Sequence, residues 1–207
     1  MHRYLLACTA SAIALLAASP ESSRAAAIAF EFESLALGAE TPLASTSGGL
    51  TATFSGPAGV DPGAFALSFN SSSGPFPAPY RTLQVAFLTT GNAFGASGSP
   101  LSISFSAPLQ AIQLAFALDD TTSAASLSLV TNVGGTTSAR GALAPGFRYP
   151  EGLLSFNGAP FTSVTLSSSA LGFQIDNLVA TTVPEPLSLD LLGVGLAALV
   201  LVRRSRD

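Results

Sequence analysis

A chain of 207 residues, 48% apolar and only 10% charged, has room for one ordinary domain plus processing segments. All eight basic residues are arginines, and between Ile28 and Val183 eight carboxylates stand against Arg81, Arg140 and Arg148; this stretch carries −5 and lacks the cationic surface that a nucleic-acid partner requires. The only histidine, His2, and the only cysteine, Cys8, lie at the start of the chain, so the remainder has no Ser/His/Asp or Cys/His nucleophile, no zinc site of imidazole or thiolate, and no internal disulfide.

The first element in chain order is an address. His2 and Arg3 precede the apolar run Tyr4 to Ala18, and Ser19 to Arg24 lead into Ala25-Ala26-Ala27. A charged start, an apolar centre and small residues at the cut make a secretory signal peptide, so residues 1–27 are expected to be removed by signal peptidase after Ala27, with a cut after Ala25 as the second choice. Leu5-Leu6-Ala7-Cys8 has the letters of a lipoprotein box, but its apolar stretch follows the cysteine instead of leading to it. The run also falls short of the ~20 apolar residues that an uncleaved spanning helix needs.

Residues 28–182 read as strands. Side chains on a strand alternate between faces, and apolar residues alternate at Leu50, Ala52 and Phe54, at Leu83, Val85 and Phe87, and at Leu101, Ile103 and Phe105. Ile112, Leu114, Phe116 and Leu118 follow, then Leu127 and Leu129, Val164 and Leu166, and Phe173 and Ile175. Every run is short, and pieces such as Ser72-Ser73-Gly74-Pro75 and Asn132-Val133-Gly134-Gly135 between them are rich in turn formers. With no sustained helical stripe, about eight to ten strands in two packed antiparallel sheets are expected, because each one-faced sheet must bury its apolar side.

Carboxylates are the reactive groups left in this body. A glycoside hydrolase sets two of them across a sugar bond; Asp119 and Asp120 are adjacent and point to opposite faces of a strand, whereas Glu31 and Glu33 share a face. Tyr80 and Tyr149 occur in Pro79-Tyr80-Arg81 and Arg148-Tyr149-Pro150. An aromatic beside an arginine suits either a sugar-binding rim or a plain loop anchor.

The chain ends on a three-part pattern: Val183-Pro184-Glu185-Pro186, the 16 residues Leu187 to Val202, and Arg203-Arg204-Ser205-Arg206-Asp207. As a helix the apolar part reaches ~24 Å, a little less than a ~30 Å hydrocarbon core. The arginines hold its end in the cytoplasm, which places Pro184 to Pro186 on the outer face of the same membrane. Prolines keep that stretch extended and open to a processing enzyme.

This tail resembles the PEP-CTERM sorting signal over residues 183–207. The resemblance implies recognition by a membrane-embedded exosortase, a cysteine transpeptidase-like enzyme of Gram-negative bacteria that often make exopolysaccharide. It assigns recognition to Pro184, Glu185 and Pro186, membrane retention to Leu187 to Val202, and stop-transfer to Arg203, Arg204 and Arg206. More loosely, Phe105 to Asp120 and Phe173 to Leu178 resemble the jelly-roll bodies of such proteins, similar in outline to carbohydrate-binding modules. That second resemblance implies a structural calcium ion held between a carboxylate of the first strand and an aspartate of the last, here Glu33 and Asp176. Side-chain hydrogen bonds by which Asp176 and Asn177 pin the final strand are the other reading.

The expected protein is therefore all-β: a two-sheet antiparallel β-sandwich of jelly-roll type over residues 28–182, with an N-terminal signal helix and a C-terminal transmembrane helix. It is expected to be exported, processed by an exosortase and left at the cell surface or in the extracellular matrix. There it would be a non-catalytic structural or binding component linked to exopolysaccharide, with no cofactor beyond that calcium ion. A glycan-binding module with a defined ligand and a carboxylate-only glycan hydrolase are the alternatives. Loss of turnover on changing Asp119 or Glu33 would mark the hydrolase.

Overall fold

The computed structural model describes residues 25–57, 65–69, 81–83, 86–90, 99–120 and 125–184. The expected signal segment before Ala25, Tyr80, and the tail from Glu185 onward lie outside them. Among the described residues there are ten strands and no helix: β1 (Ala27–Phe30), β2 (Leu43–Ser47), β3 (Leu50–Ser55), β4 (Phe65–Phe69), β5 (Ala86–Thr90), β6 (Leu101–Leu118), β7 (Ser126–Thr131), β8 (Thr136–Arg140), β9 (Glu151–Ser168) and β10 (Phe173–Thr182). They belong to one compact unit, Ala26–Val183.

Alternation of apolar and hydroxyl side chains builds these strands. In β3, Leu50, Ala52 and Phe54 are buried while Thr51, Thr53 and Ser55 remain half-exposed. All strand pairs are antiparallel, and β6 with β9 forms the spine. The first part of β6, Leu101–Ser104, lies between β3 and the last part of β9; its second part, Ala111–Ala117, lies between β10 and the first part of β9. Between them the register shifts at Leu109, next to Pro108, which has no N–H to give to a ladder. The inward side chains change parity there, from Leu101, Ile103, Phe105 and Leu109 to Ile112, Leu114, Phe116 and Leu118.

The continuous sheet thus folds into two leaves. The first has the order β2-β3-β6-β9-β7-β8; the second has β4-β5-β10-β6-β9, with β1 beside the later half of β10. Both leaves contribute to a single apolar cluster in which Phe32 meets Phe54 edge-on at 5.4 Å and Phe65 lies 5.4 Å from Phe173. An all-β antiparallel sandwich agrees with the sequence reading.

Two expectations are corrected. The runs at Leu101–Phe105 and Ile112–Leu118 are one strand of 18 residues, and Val164 and Leu166 belong to a second of equal length, so the strands are not all short. Leu83 is not the inward start of a strand. It precedes β5 and packs on the outward residues Ala115 and Ala117, while Leu88 is the buried, core-facing residue of β5.

Gly152 is fixed by packing. It pairs with Phe116, and a Cβ added to it would lie 2.6 Å from Phe116 Cζ and 3.0 Å from the Arg140 carbonyl oxygen. Gly152→Ala is expected to lower stability by about 1–3 kcal/mol, the usual range for overpacking, as a reduced urea midpoint.

Candidate functional site

The two ends of the folded unit lie side by side. β1 pairs with β10 from Ala27↔Thr181 to Phe30↔Leu178. Just outside that ladder the Ala26 N–H donates to Thr182 Oγ1 at 3.2 Å, and the Ala26 carbonyl accepts from the Thr182 N–H at 3.0 Å. The Val183 N–H donates to the Pro108 carbonyl at 3.2 Å, and Pro184 is exposed. Of the sequence-derived processing residues, Ala25, Ala27 and Pro184 are described; Glu185, Pro186, Arg203, Arg204 and Arg206 lie outside.

The far end of the second leaf brings together segments that are distant in sequence. Thr182 pairs with Leu109 midway along β6, and Glu151 pairs with Ala117 near the end of that strand, a separation of ~26 Å at the usual rise of ~3.3 Å per residue. There the Glu151 carboxylate accepts from the backbone N–H of Arg81, from the Thr82 N–H at 2.6 Å and from the Thr82 hydroxyl. Those bonds dock residues 81–83 on the sheet, and Leu83 and Tyr149 pack against Ala115 and Ala117. The Arg148 guanidinium carbon stands 5.2 Å from the centre of the Tyr149 ring, within cation–π range. Residues 81–83 and the Arg148-Tyr149 pair, singled out separately in the sequence, therefore meet over Ala115 and Ala117.

Glu151 is occupied as a structural clamp, which removes it from the pool of free acids. Glu151→Ala leaves two backbone donors without their acceptor. Its expected effect is a loss of about 1–3 kcal/mol and earlier proteolysis near Arg81, followed by limited digestion and mass analysis.

The other carboxylates do not assemble. Glu33 is exposed in the turn after β1, where the Leu35 N–H donates to the Phe32 carbonyl at 3.0 Å. Asp176 is 1% exposed on β10. Its Oδ1 accepts from the Asn177 N–H at 2.7 Å and its Oδ2 from Asn177 Nδ2 at 3.3 Å, with Asn177 at φ 50°. These bonds join neighbouring residues at the irregularity where β10 shifts register against β6, between Asp176 and Val179. Among the described residues there is no group of three or more His, Cys, Asp or Glu placed to hold a metal. A calcium ion on Glu33 and Asp176 would require a melting temperature that rises in millimolar calcium and no longer does so in Glu33→Ala.

Asp119 is exposed and Asp120 half-buried just past β6, where the Asp119 N–H donates to the Gly172 carbonyl at 2.9 Å. On the outward side of β10, Gln174 Nε2 donates to Thr89 Oγ1 at 3.3 Å and its buried Oε1 has no protein partner.

The feature that the sequence reading missed is the outer face of the first leaf. Its outward positions number two on β2 and three each on β3, β6, β9, β7 and β8, and all but Ala44, Val130 and Arg140 are Ser or Thr. The registers Ala44↔Thr53↔Ser104↔Ser163 and Ser55↔Ser102↔Thr165↔Val130↔Thr136 run as rows across it. Hydroxyls of adjacent strands come within bonding distance, as between Thr46 and Thr51 at 2.9 Å. The available signal was the serine or threonine at every second place in stretches such as Leu101 to Ser106.

No protein-family model matches this chain, and no curated protein does. Among solved structures it is similar to the K1 cleaved adhesin domain of Lys-gingipain from Porphyromonas gingivalis, at 10% identity and a TM-score of 0.45 over 76% of this chain and 99% of that one. It is similar to the K2 cleaved adhesin domain of Lys-gingipain at 14% identity and a TM-score of 0.46, over 76% of this chain and 100% of that one. It is also similar to a Stig cyclase from Fischerella sp. at 12% identity and a TM-score of 0.41, over 78% of this chain and 100% of that one.

Proposed function

We propose that this protein is exported, trimmed at both ends and sorted by an exosortase to the cell surface or the extracellular matrix, where its jelly-roll-like body is a non-catalytic structural or binding component linked to exopolysaccharide. The observation that carries the reading is the joint closure of the two ends. Among the described residues the pairing runs from Ala26 to Val183, which brings the positions next to the two addresses side by side in one ladder. Removal of the signal after Ala25 is favoured over removal after Ala27, because only the former leaves the Ala26–Thr182 bonds in place.

The non-catalytic part of the reading draws support from the carboxylates. Glu151 is held by backbone donors and Asp176 by Asn177, while Glu33 and Asp119 lie exposed in separate segments. Mass spectrometry of the protein taken from the surface of intact cells tests the proposal. The expected product begins at Ala26 and lacks Leu187 to Asp207. A mature product that still contains Leu187 to Arg206 refutes sorting by cleavage.

A further inference from the structure

We infer that the hydroxyl face of the first leaf is a binding surface for an uncharged polysaccharide. The inference rests on, and sharpens, the proposed link to exopolysaccharide by naming the surface and the class of polymer. Fourteen of its seventeen outward positions are Ser or Thr, and its one charge, Arg140, stands at the end of β8. None of the described carboxylates lies on this face; they fall on the second leaf or in connecting segments.

Scarcity of charge in the chain does not explain this by itself. The outward side of the second leaf carries Glu151, Asp176, Gln174 and Gln113, so charged and amide groups are placed on a sheet face when the fold uses them. The edges make the same point. β2 has no charged residue and β8 only its terminal arginine, although edge strands are ordinarily guarded by charge or proline against pairing with strangers. An edge left without charge is open to strand pairing, a liability that makes sense when a neutral partner covers it.

The chemistry fits a polyol. Each hydroxyl donates one hydrogen bond and accepts others, with a proton that rotates to suit, so it meets sugar hydroxyls of either polarity. Serine gives adaptable hydrogen bonding at a contact, and its short side chain has little rotamer freedom to lose. Strands ~4.8 Å apart, with outward residues every ~6.6 Å along each, form a regular grid that a repeating polymer meets at many points. An acidic polymer gains no counter-charge from the face and is repelled by a body of net charge −5.

The test is affinity electrophoresis of the full chain in uncharged detergent, through gels containing a soluble α-glucan, β-glucan or galactomannan. Retardation by at least one of them is expected, unchanged between about 50 and about 500 mM salt because no ion pair is involved. Ser104→Glu with Thr165→Glu, both exposed on this face, is expected to weaken it at least ~10-fold with the melting temperature preserved. Gln113→Glu with Asn157→Glu, a matched exposed pair on the second leaf, is expected to leave it within ~2-fold.

Four results would overturn the inference: no retardation by any neutral polysaccharide, retardation only by acidic polymers and abolished by salt, equal loss in both double variants, or sugars found covalently attached to this face. None of them touches the sorting reading, which stands or falls on the mass of the processed protein.

Discussion

Replacing Phe116 by alanine is expected to lower the stability of the folded unit by about 3–5 kcal/mol. That is a large share of the ~5–15 kcal/mol typical of a domain. Phe116 is fully buried on the central strand, paired with Ile175 on one side and Gly152 on the other. Two ladders fix the backbone around it, so the cavity cannot close by local collapse. Equilibrium unfolding in urea, followed by circular dichroism, reads the change as a lower midpoint at constant slope. Leu153→Ala supplies the contrast, because Leu153 is 57% exposed and its change should stay within ~0.5 kcal/mol. The pairing also predicts coupling: in a Phe116→Ala background the penalty of Gly152→Ala should shrink, since the ring that its Cβ meets at 2.6 Å is gone. Additive losses would mean that the strain arises at the Arg140 carbonyl and not at the ring.

How far the sequence reveals this fold depends on which side of each strand carries information. β3, β7 and both ends of β6 were legible because one face is apolar and the other is not, and their inward residues match the buried ones. β2 and β8 were not, because Leu43–Ser47 and Thr136–Arg140 sit at the edges, where little is buried and no apolar alternation is required. β6 was read as two strands because the inward parity changes across Pro108 and Leu109, and a break in period looks like a turn when the chain in fact bends from one leaf to the other. The candidate sites divide in the same way. Arg81 and Tyr149 were noticed for their side chains, but Glu151, which holds Arg81 and Thr82 on the sheet, is an ordinary acid until the fold places it beside Thr82. The hydroxyl face was hidden for the opposite reason: serine and threonine at alternate positions resemble the filler of turns until six strands align them.

Changing Pro184, Glu185 and Pro186 together to alanine is expected to leave nearly all of the protein unprocessed, retaining residues 187–207 and remaining with the inner membrane. The argument begins at Val183, whose N–H is the last in the described chain to bond to the sandwich, through the Pro108 carbonyl. Pro184 has no N–H with which to prolong β10, so regular pairing must stop there. Only three residues then separate the fold from the apolar run at Leu187, a reach of ~10 Å when fully extended. On the proposed sorting, an enzyme seated in the membrane recognises its substrate within that short gap, where proline disfavours helix and alanine favours it. The triple variant leaves Leu187 to Val202 and the arginines unchanged, so insertion and orientation should persist while cleavage fails. Immunoblots of fractionated cells, with intact mass as the second readout, distinguish the outcomes. If the wild type and the variant carry the same tail to the same fraction, the segment is an ordinary membrane anchor and the three residues are only its stalk.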